Sequence, residues 1–261
     1  MLSLAGKIKL HPNVIDKLKM VEVGTVNKLA QSCLNDGFKV LKKQNDMMRL
    51  AVMLELAERV KEKYEAAGID EKIYYDTMSD IKIWCERNGN KGLKNYGWIK
   101  NHVSFELFRL GRLQFQLYEC KGKTVLYSKL PFNCGEKLIY IHIPEGERLD
   151  KSKCLESLEI SKRFFAEFFP NHKYNYYFCE SWLLFENNRE FMSADSNIVG
   201  FMSLFDIRYS VKIDKQAIER IYGKRRLLKK NYPENTSLQV AAKKYMQGGK
   251  NLGIGVGIIV K

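Results

Sequence analysis

The sequence predicts an α+β fold, with a mainly helical N-terminal region leading into a mixed sheet flanked by helices. Three observations predict it. Apolar residues recur at helical spacing up to about residue 110, and the period drops to two after Gly111. An apolar strand, an amphipathic helix and a second strand then follow one another between Lys137 and Cys179, the order of a βαβ unit.

Taken in order, helices are expected near 14–21 and 25–34. Another is expected over 46–67, where Met47, Leu50, Ala51, Leu54 and Ala57 mark one face and Gly68 supplies a stop, with two more near 75–86 and 98–109. From Gly111, Leu113, Phe115 and Leu117 alternate with Arg112, Gln114 and Gln116. That pattern reads as a strand, followed by a turn at Lys121-Gly122-Lys123 and a second strand over 124–128. Residues 137–143 are apolar on both faces, which marks a central strand. Asp150 is placed to cap the next helix, whose Cys154, Leu158, Ser161, Phe165 and Phe168 recur at spacings of four and three until Pro170. A strand at 174–179 then pairs in parallel with 137–143. A helix over 196–204, a strand over 207–212, helices over 214–222 and 237–246, and a last strand over 252–260 complete the chain. Gly253, Gly255 and Gly257 alternate with apolar residues, so they read as a strand with one bare face for close packing rather than as a nucleotide loop. The expected division is a helical domain over 1–120 and a sheet domain over 121–261, with the strand at 111–119 joining the sheet.

The 261 residues are 45% hydrophobic and 28% charged, a globular composition that excludes disordered, collagen-like and coiled-coil chains. The longest charge-free windows, 196–205 and 251–260, have ten residues each, about half of a membrane span. Lys7 interrupts the N-terminus before an apolar run of signal-peptide length can form. A cytoplasmic protein without a membrane partner is expected. The six cysteines lie 14 or more residues apart with no C-x-x-C, so mostly buried reduced thiols and no metal are expected.

Lys and Arg number 44 against 30 Asp and Glu, a formal net charge of +14. Residues 215–261 carry +9 of it and residues 91–129 carry +6, leaving −1 for the remainder. Such segments suit nucleic acid, an acidic surface or a multiply phosphorylated molecule such as coenzyme A, or else form a solvated basic face. Tyr174, Tyr176, Tyr177 and Phe178 read as an aromatic core strand, and no helix-turn-helix, zinc-finger or RNP signature accompanies them. Nucleic acid is therefore not the expected partner.

Whole phrases of the chain resemble a known family. Trp98 with Phe108-Arg109-Leu110-Gly111-Arg112-Leu113-Gln114-Phe115, Ile141-His142-Ile143-Pro144-Glu145-Gly146, Glu180-Ser181-Trp182-Leu183-Leu184, Ser196-Asn197-Ile198 and Thr236-Ser237-Leu238-Gln239 resemble bacterial acyltransferases. These join a helical N-terminal domain to a GNAT-like C-terminal domain, and the resemblance covers nearly the whole chain. It implies transfer of an acyl group, acetyl by first expectation, from acetyl-CoA or another acyl-CoA to a small-molecule or peptide amine. The alternative is a non-catalytic GNAT-like ligand-binding or interaction module. Two departures bear on that choice. The superfamily's [Gln/Arg]-x-x-Gly-x-[Gly/Ala] phosphate loop would fall near 147–154, which holds no glycine, and the tyrosine expected to protonate the leaving thiolate is Leu204 here.

Acyl transfer from a thioester to an amine needs a base for the amine, donors for the oxyanion and a proton for the thiolate. In a parallel unit ligands meet the carboxyl ends of the strands, which places Glu180 first and His142 second as candidate bases. Each has an ordinary reading too, Glu180 as a structural carboxylate and His142 as a satisfied core histidine. The backbone N–H near Ile143 is the candidate for the acyl carbonyl. Arg148, Lys151 and Ser152, at a helix N-terminus, are the candidates for the CoA phosphates. Asn197 either contacts the pantetheine or caps its own helix. Cys179 beside Glu180 reads as buried packing rather than as a nucleophile.

Overall fold

The computed structural model describes residues 1–121 and 129–261; the strand expected over 124–128 lies outside them. The helices preceding the sheet are α1 (Leu2–Lys7), α2 (Pro12–Lys19), α3 (Val23–Asp36), α4 (Asp46–Ala66), α5 (Glu71–Met78), α6 (Asp80–Arg87) and α7 (Tyr96–Val103). There follow β1 (Leu107–Leu110), β2 (Leu113–Glu119), β3 (Lys137–His142), α8 (Lys151–Phe168), β4 (Tyr176–Ser181), α9 (Asn197–Met202), β5 (Asp206–Val211), α10 (Lys215–Tyr222), α11 (Ser237–Gln247) and β6 (Ile254–Val260). The chain divides into two compact units. The first comprises Met1–Gln116, Ile143–Glu147 and Arg163–Phe169; the second comprises Leu117–His142, Arg148–Lys162 and Pro170–Lys261.

In the first unit helix starts are fixed by side-chain caps. Glu22 accepts from Thr25 N at 2.6 Å, Asn45 from Met48 N at 2.8 Å and Asp70 from Lys72 N at 2.7 Å, each satisfying an N–H that the helix leaves without a partner. Helix α4 is the central element. It buries Val52, Met53, Leu56, Val60 and Tyr64 besides Leu50, Ala51, Leu54 and Ala57, so the single apolar face expected from sequence is too narrow. Helices α3, α5 and α7 all contact it, and burial on several sides narrows the polar face, which survives mainly at Glu62, Lys63 and Glu65.

Two expected helices end differently. The stretch 75–86 is divided at Ser79, whose hydroxyl donates back to the Tyr75 carbonyl at 2.7 Å, a local bond that favours a bend. The stretch 98–109 stops at Val103 because Phe105 adopts φ +61, and Leu107 onward is strand β1. Arg112 and Gln114, expected on a polar strand face, are 5% and 1% exposed. Arg112 tolerates burial by donating to the carbonyls of Pro144 at 3.0 Å and Glu147 at 2.8 Å.

The strands are ordered β1-β2-β3-β4-β6-β5. Strand β3 is internal, as its apolar faces predict, and pairs with β4 in parallel. The last strand, β6, lies between β4 and β5, antiparallel to both. Its glycines permit that placement. A Cβ at Gly255 would collide with the Leu184 carbonyl, one at Gly253 with the Val211 carbonyl and the Phe185 ring, and one at Gly257 would lie 2.9 Å from Phe205 Cβ. Tyr177 and Phe178 are fully buried, so the aromatic run of β4 is core. Among the described residues no helix is long and apolar enough to cross a membrane.

Candidate functional site

The βαβ unit carries the sequence-predicted residues at one end. Ile139 stands opposite Tyr177 and Tyr140 opposite Phe178, and beyond those pairs β3 runs on to His142 and β4 to Ser181. Strand alternation puts Ile139, Ile141, Tyr177 and Cys179 on one face and Tyr140, His142, Phe178 and Glu180 on the other. Helix α8 covers the first face. There the Tyr177 hydroxyl lies 2.9 Å from Ser161 Oγ and 2.9 Å from the Tyr174 hydroxyl, a satisfied buried chain that fixes the helix against β4. The second face packs Phe178, Leu138, Val256 and Ile258 with Phe132 and Leu130, and Tyr140 lies against this cluster.

His142 and Glu180 stand at the carboxyl end of that second face, both half-buried. The Tyr140 ring stacks on His142 at 4.1 Å with 24° between the planes, and the Tyr140 hydroxyl donates to the Glu180 carbonyl at 3.4 Å. Tyr140 thus spans both strands and orients His142. Burial raises the pKa of the Glu180 carboxyl by disfavouring its charged form. Cys179 is wholly buried, and burial, reinforced by the Glu180 charge, pushes its thiol far up. It is a packing residue, as the sequence suggests.

Ile143 follows β3 directly and is half-buried, while Arg148, Lys151 and Ser152 are exposed. Asp150 caps α8: its carboxylate accepts from Ser152 N at 3.0 Å and Ser152 Oγ at 2.8 Å, and its carbonyl accepts from Cys154 N at 3.0 Å. The Ser152 hydroxyl and N–H are therefore already engaged by a carboxylate. A Cβ at Gly200 of α9 would lie 3.7 Å from Lys151 Cβ, so α9 abuts the first turn of α8. This brings the helix of Asn197 to Lys151. Its cap is Ser196, which accepts from Val199 N at 3.2 Å; the capping alternative for Asn197 falls to its neighbour.

The segment Ile143–Glu147 is tied within the first unit. Besides the two Arg112 bonds, Glu147 pairs with Arg109 at 2.5 Å and Glu145 pairs with Arg87. Part of the positive charge of 91–129 thus serves the protein itself. Sequence reasoning missed the role of Tyr140, although its position two before His142 on one strand was the available signal. It also missed a buried pair in the first unit: His102 Nε2 lies 3.2 Å from Asp80 Oδ2, which also accepts from Trp98 Nε1 at 2.5 Å.

Fold and site geometry together define a βαβ core carrying a half-buried carboxylate and histidine at its strand ends. Residues 107–259 match the GNAT-like C-terminal domain and residues 3–105 match the N-acyltransferase N-terminal domain; the chain belongs to the GNAT-like family so defined. No curated protein sequence matches it. Its fold is that of a crystallised acyltransferase in complex with decanoyl-CoA and teicoplanin, with TM-score 0.81 and 19% identity over 99% of this chain and 86% of that one. It is equally that of an acyltransferase in complex with CoA and 10C-teicoplanin, TM-score 0.81 at 18% identity, and of an acyltransferase mutant in complex with octanoyl-CoA, TM-score 0.80 at 18% identity. Both comparisons cover the same shares of the two chains. The resemblance seen in sequence thus holds for the family and for the fold.

Proposed function

We propose that the protein is an acyl-CoA-dependent N-acyltransferase acting on a small-molecule or peptide amine, with Glu180 as its general base. The observation that carries this reading is the carboxylate itself. Glu180 lies at the carboxyl end of a parallel strand pair, half-buried, with burial alone raising its affinity for a proton. In the reaction Glu180, directly or through a water, takes a proton from the acceptor amine, whose lone pair attacks the thioester carbonyl carbon. The oxyanion is held by backbone N–H at Ile143, the C–S bond breaks, and the departing CoA thiolate takes up, through water, the proton that Glu180 received, which returns the carboxylate to its starting state. His142, oriented by Tyr140, is the second candidate base.

The CoA phosphates are assigned to the N-terminal turn of α8, with Arg148 and Lys151 as donors and Asn197 beside the pantetheine; Ser152, expected to join them, commits both its N–H and its hydroxyl to Asp150. The family match and the fold of the CoA-bound neighbours support a CoA thioester as donor. Acetyl-CoA is the donor expected from sequence; the octanoyl and decanoyl chains held by the neighbours extend the donor class to be tested. Teicoplanin in one neighbour supports an acceptor of small-molecule or peptide kind. The protein is proposed to act in the cytoplasm.

The glycine-free loop before α8 and Leu204 in the tyrosine position favour the second reading, a module that keeps the fold without the chemistry. Calorimetric titration with CoA, acetyl-CoA, octanoyl-CoA and decanoyl-CoA, followed by release of free thiol in the presence of amines, separates the two. Binding with amine-dependent thiol release is expected. Folded protein that binds none of the four at millimolar concentration would overturn the enzymatic reading.

A further inference from the structure

The basic segment 215–261, which the transfer chemistry does not use, contains an unusual loop. Helix α10 ends at Tyr222, Gly223 turns the chain at φ +78, and Lys224-Arg225-Arg226-Leu227-Leu228-Lys229-Lys230 follows before a 3₁₀ turn, Lys229–Asn231. Both ends of the loop are pinned. The Tyr222 and Tyr232 rings pack at 4.4 Å, Arg226 N donates to the Tyr232 hydroxyl at 3.2 Å, Arg225 pairs with Asp214, and Lys229 Nζ donates to the Met246 carbonyl at 2.5 Å. The tyrosines belong to a buried cluster with Ile218, Ile221, Ala242 and Met246. The tip points away from it: Leu227 is 98% exposed and Leu228 is 49% exposed.

A lone exposed leucine needs no explanation. Here two adjacent leucines project from an anchored loop, bracketed by three cations before and two after. We propose that this loop docks the protein on an anionic phospholipid surface, Leu227 and Leu228 entering the headgroup region while the exposed Lys224 and Lys230 on either side meet the lipid charges. Charge complementarity selects an anionic partner, each lysine or arginine near such a surface adding a comparable increment of attraction. The leucines select among anionic partners. A nucleic acid would be gripped by cations with stacking aromatics, and the tip offers none, whereas a bilayer interface takes up aliphatic side chains between basic ones. The contact is peripheral and needs no spanning segment; it departs from the expectation of no membrane partner, which rests only on the lack of a spanning stretch. It does not rest on the proposed acyl transfer.

The test is co-sedimentation of the whole chain with vesicles of mixed phosphatidylglycerol and phosphatidylcholine, and with phosphatidylcholine alone. Binding to the anionic vesicles that falls steeply with salt is expected, with little binding to the neutral ones. Replacing both leucines, Leu227→Ser with Leu228→Ser, should weaken vesicle binding about tenfold, since two partly inserted aliphatic side chains are lost. Lys224→Gln with Lys230→Gln should weaken it by about tenfold or more. All four positions are exposed, so thermal stability should not change. Absence of binding to anionic vesicles would overturn the proposal. So would binding indifferent to the leucines, which would reduce the effect to the +14 net charge of the chain. Binding of single-stranded RNA through this loop without binding of vesicles would overturn it in favour of a nucleic-acid partner.

Discussion

Asp80 in the first unit and Glu180 in the second are both carboxylates withdrawn from water, and their environments push them in opposite directions. Asp80 is the more deeply buried, at 2% exposure. Burial by itself would raise its pKa, yet the hydrogen bond and charge of His102, with hydrogen bonds from Trp98 and Gln114, hold it below the usual range. Glu180 is only half-buried, but among the described residues no charge or hydrogen bond offsets the burial and its pKa rises. Depth alone therefore does not mark a reactive carboxylate. A partnered carboxylate stays ionised and builds structure, and one desolvated without such partners has its neutral form favoured, the shift that the proposed base requires.

The largest effect expected from this contrast is kinetic. Glu180→Gln keeps the shape and removes the proton acceptor, so turnover should fall about 10²–10⁴-fold with acyl-CoA affinity nearly unchanged. Steady-state rates and calorimetry on one preparation check it. Full turnover in the variant would break the comparison and pass the role of base to His142. The same variant carries a thermodynamic signature. Because the folded-state pKa of Glu180 is raised, its contribution is complete below the unfolded value near 4.3 and is lost as pH rises through the folded value. Glu180→Gln should therefore melt slightly above the wild type at pH 8, with the difference gone by pH 4. A clear loss of stability at pH 8 would make Glu180 a structural carboxylate instead.

Asp80→Ala should do the reverse, leaving turnover per folded molecule intact while costing about 3–5 kcal/mol of stability, because His102 and Trp98 Nε1 lose their buried partner. With a depressed folded pKa, the Asp80 contribution is present above the unfolded value near 3.9 and is lost as pH falls through the lower folded value. Denaturation midpoints from pH 6 to pH 2 should show the wild type and Asp80→Asn converging at the acid end. An unchanged difference at pH 2 would show that the ionised carboxylate is not the source.

This contrast also explains what the sequence makes legible. The position of Glu180 at a strand end is readable because local periodicity defines β3, α8 and β4. The glycines of β6 are readable because they alternate with apolar residues. Asp80 and His102 are not, since they lie 22 residues apart on two helices and become partners only through tertiary packing. Arg112 and Gln114 misled because alternation marks a polar face only where water reaches it; here backbone carbonyls and His102 take its place. The placement of β6 between β4 and β5 depends on pairing across some 75 residues, beyond the reach of any local pattern.

A third carboxylate sharpens the comparison, with the smallest effect. Asp150 is held below the usual range by the hydroxyl and N–H of Ser152, and it stands where the phosphates of CoA are proposed to bind. An ionised cap suits the positive end of α8, but it opposes a polyanion approaching the same turn. Asparagine caps a helix about as well as aspartate, so Asp150→Asn separates the two roles: the fold should keep its melting temperature while one negative charge leaves the site. CoA affinity should then rise about two- to fivefold at low ionic strength, the scale of one exposed charge pair, and the gain should vanish as salt screens it. Titration of both proteins at two salt concentrations measures this. An unchanged or weaker affinity in Asp150→Asn would move the phosphates away from the α8 N-terminus, toward the other basic surfaces of the second unit, while leaving the assignment of Glu180 to stand on its own kinetics.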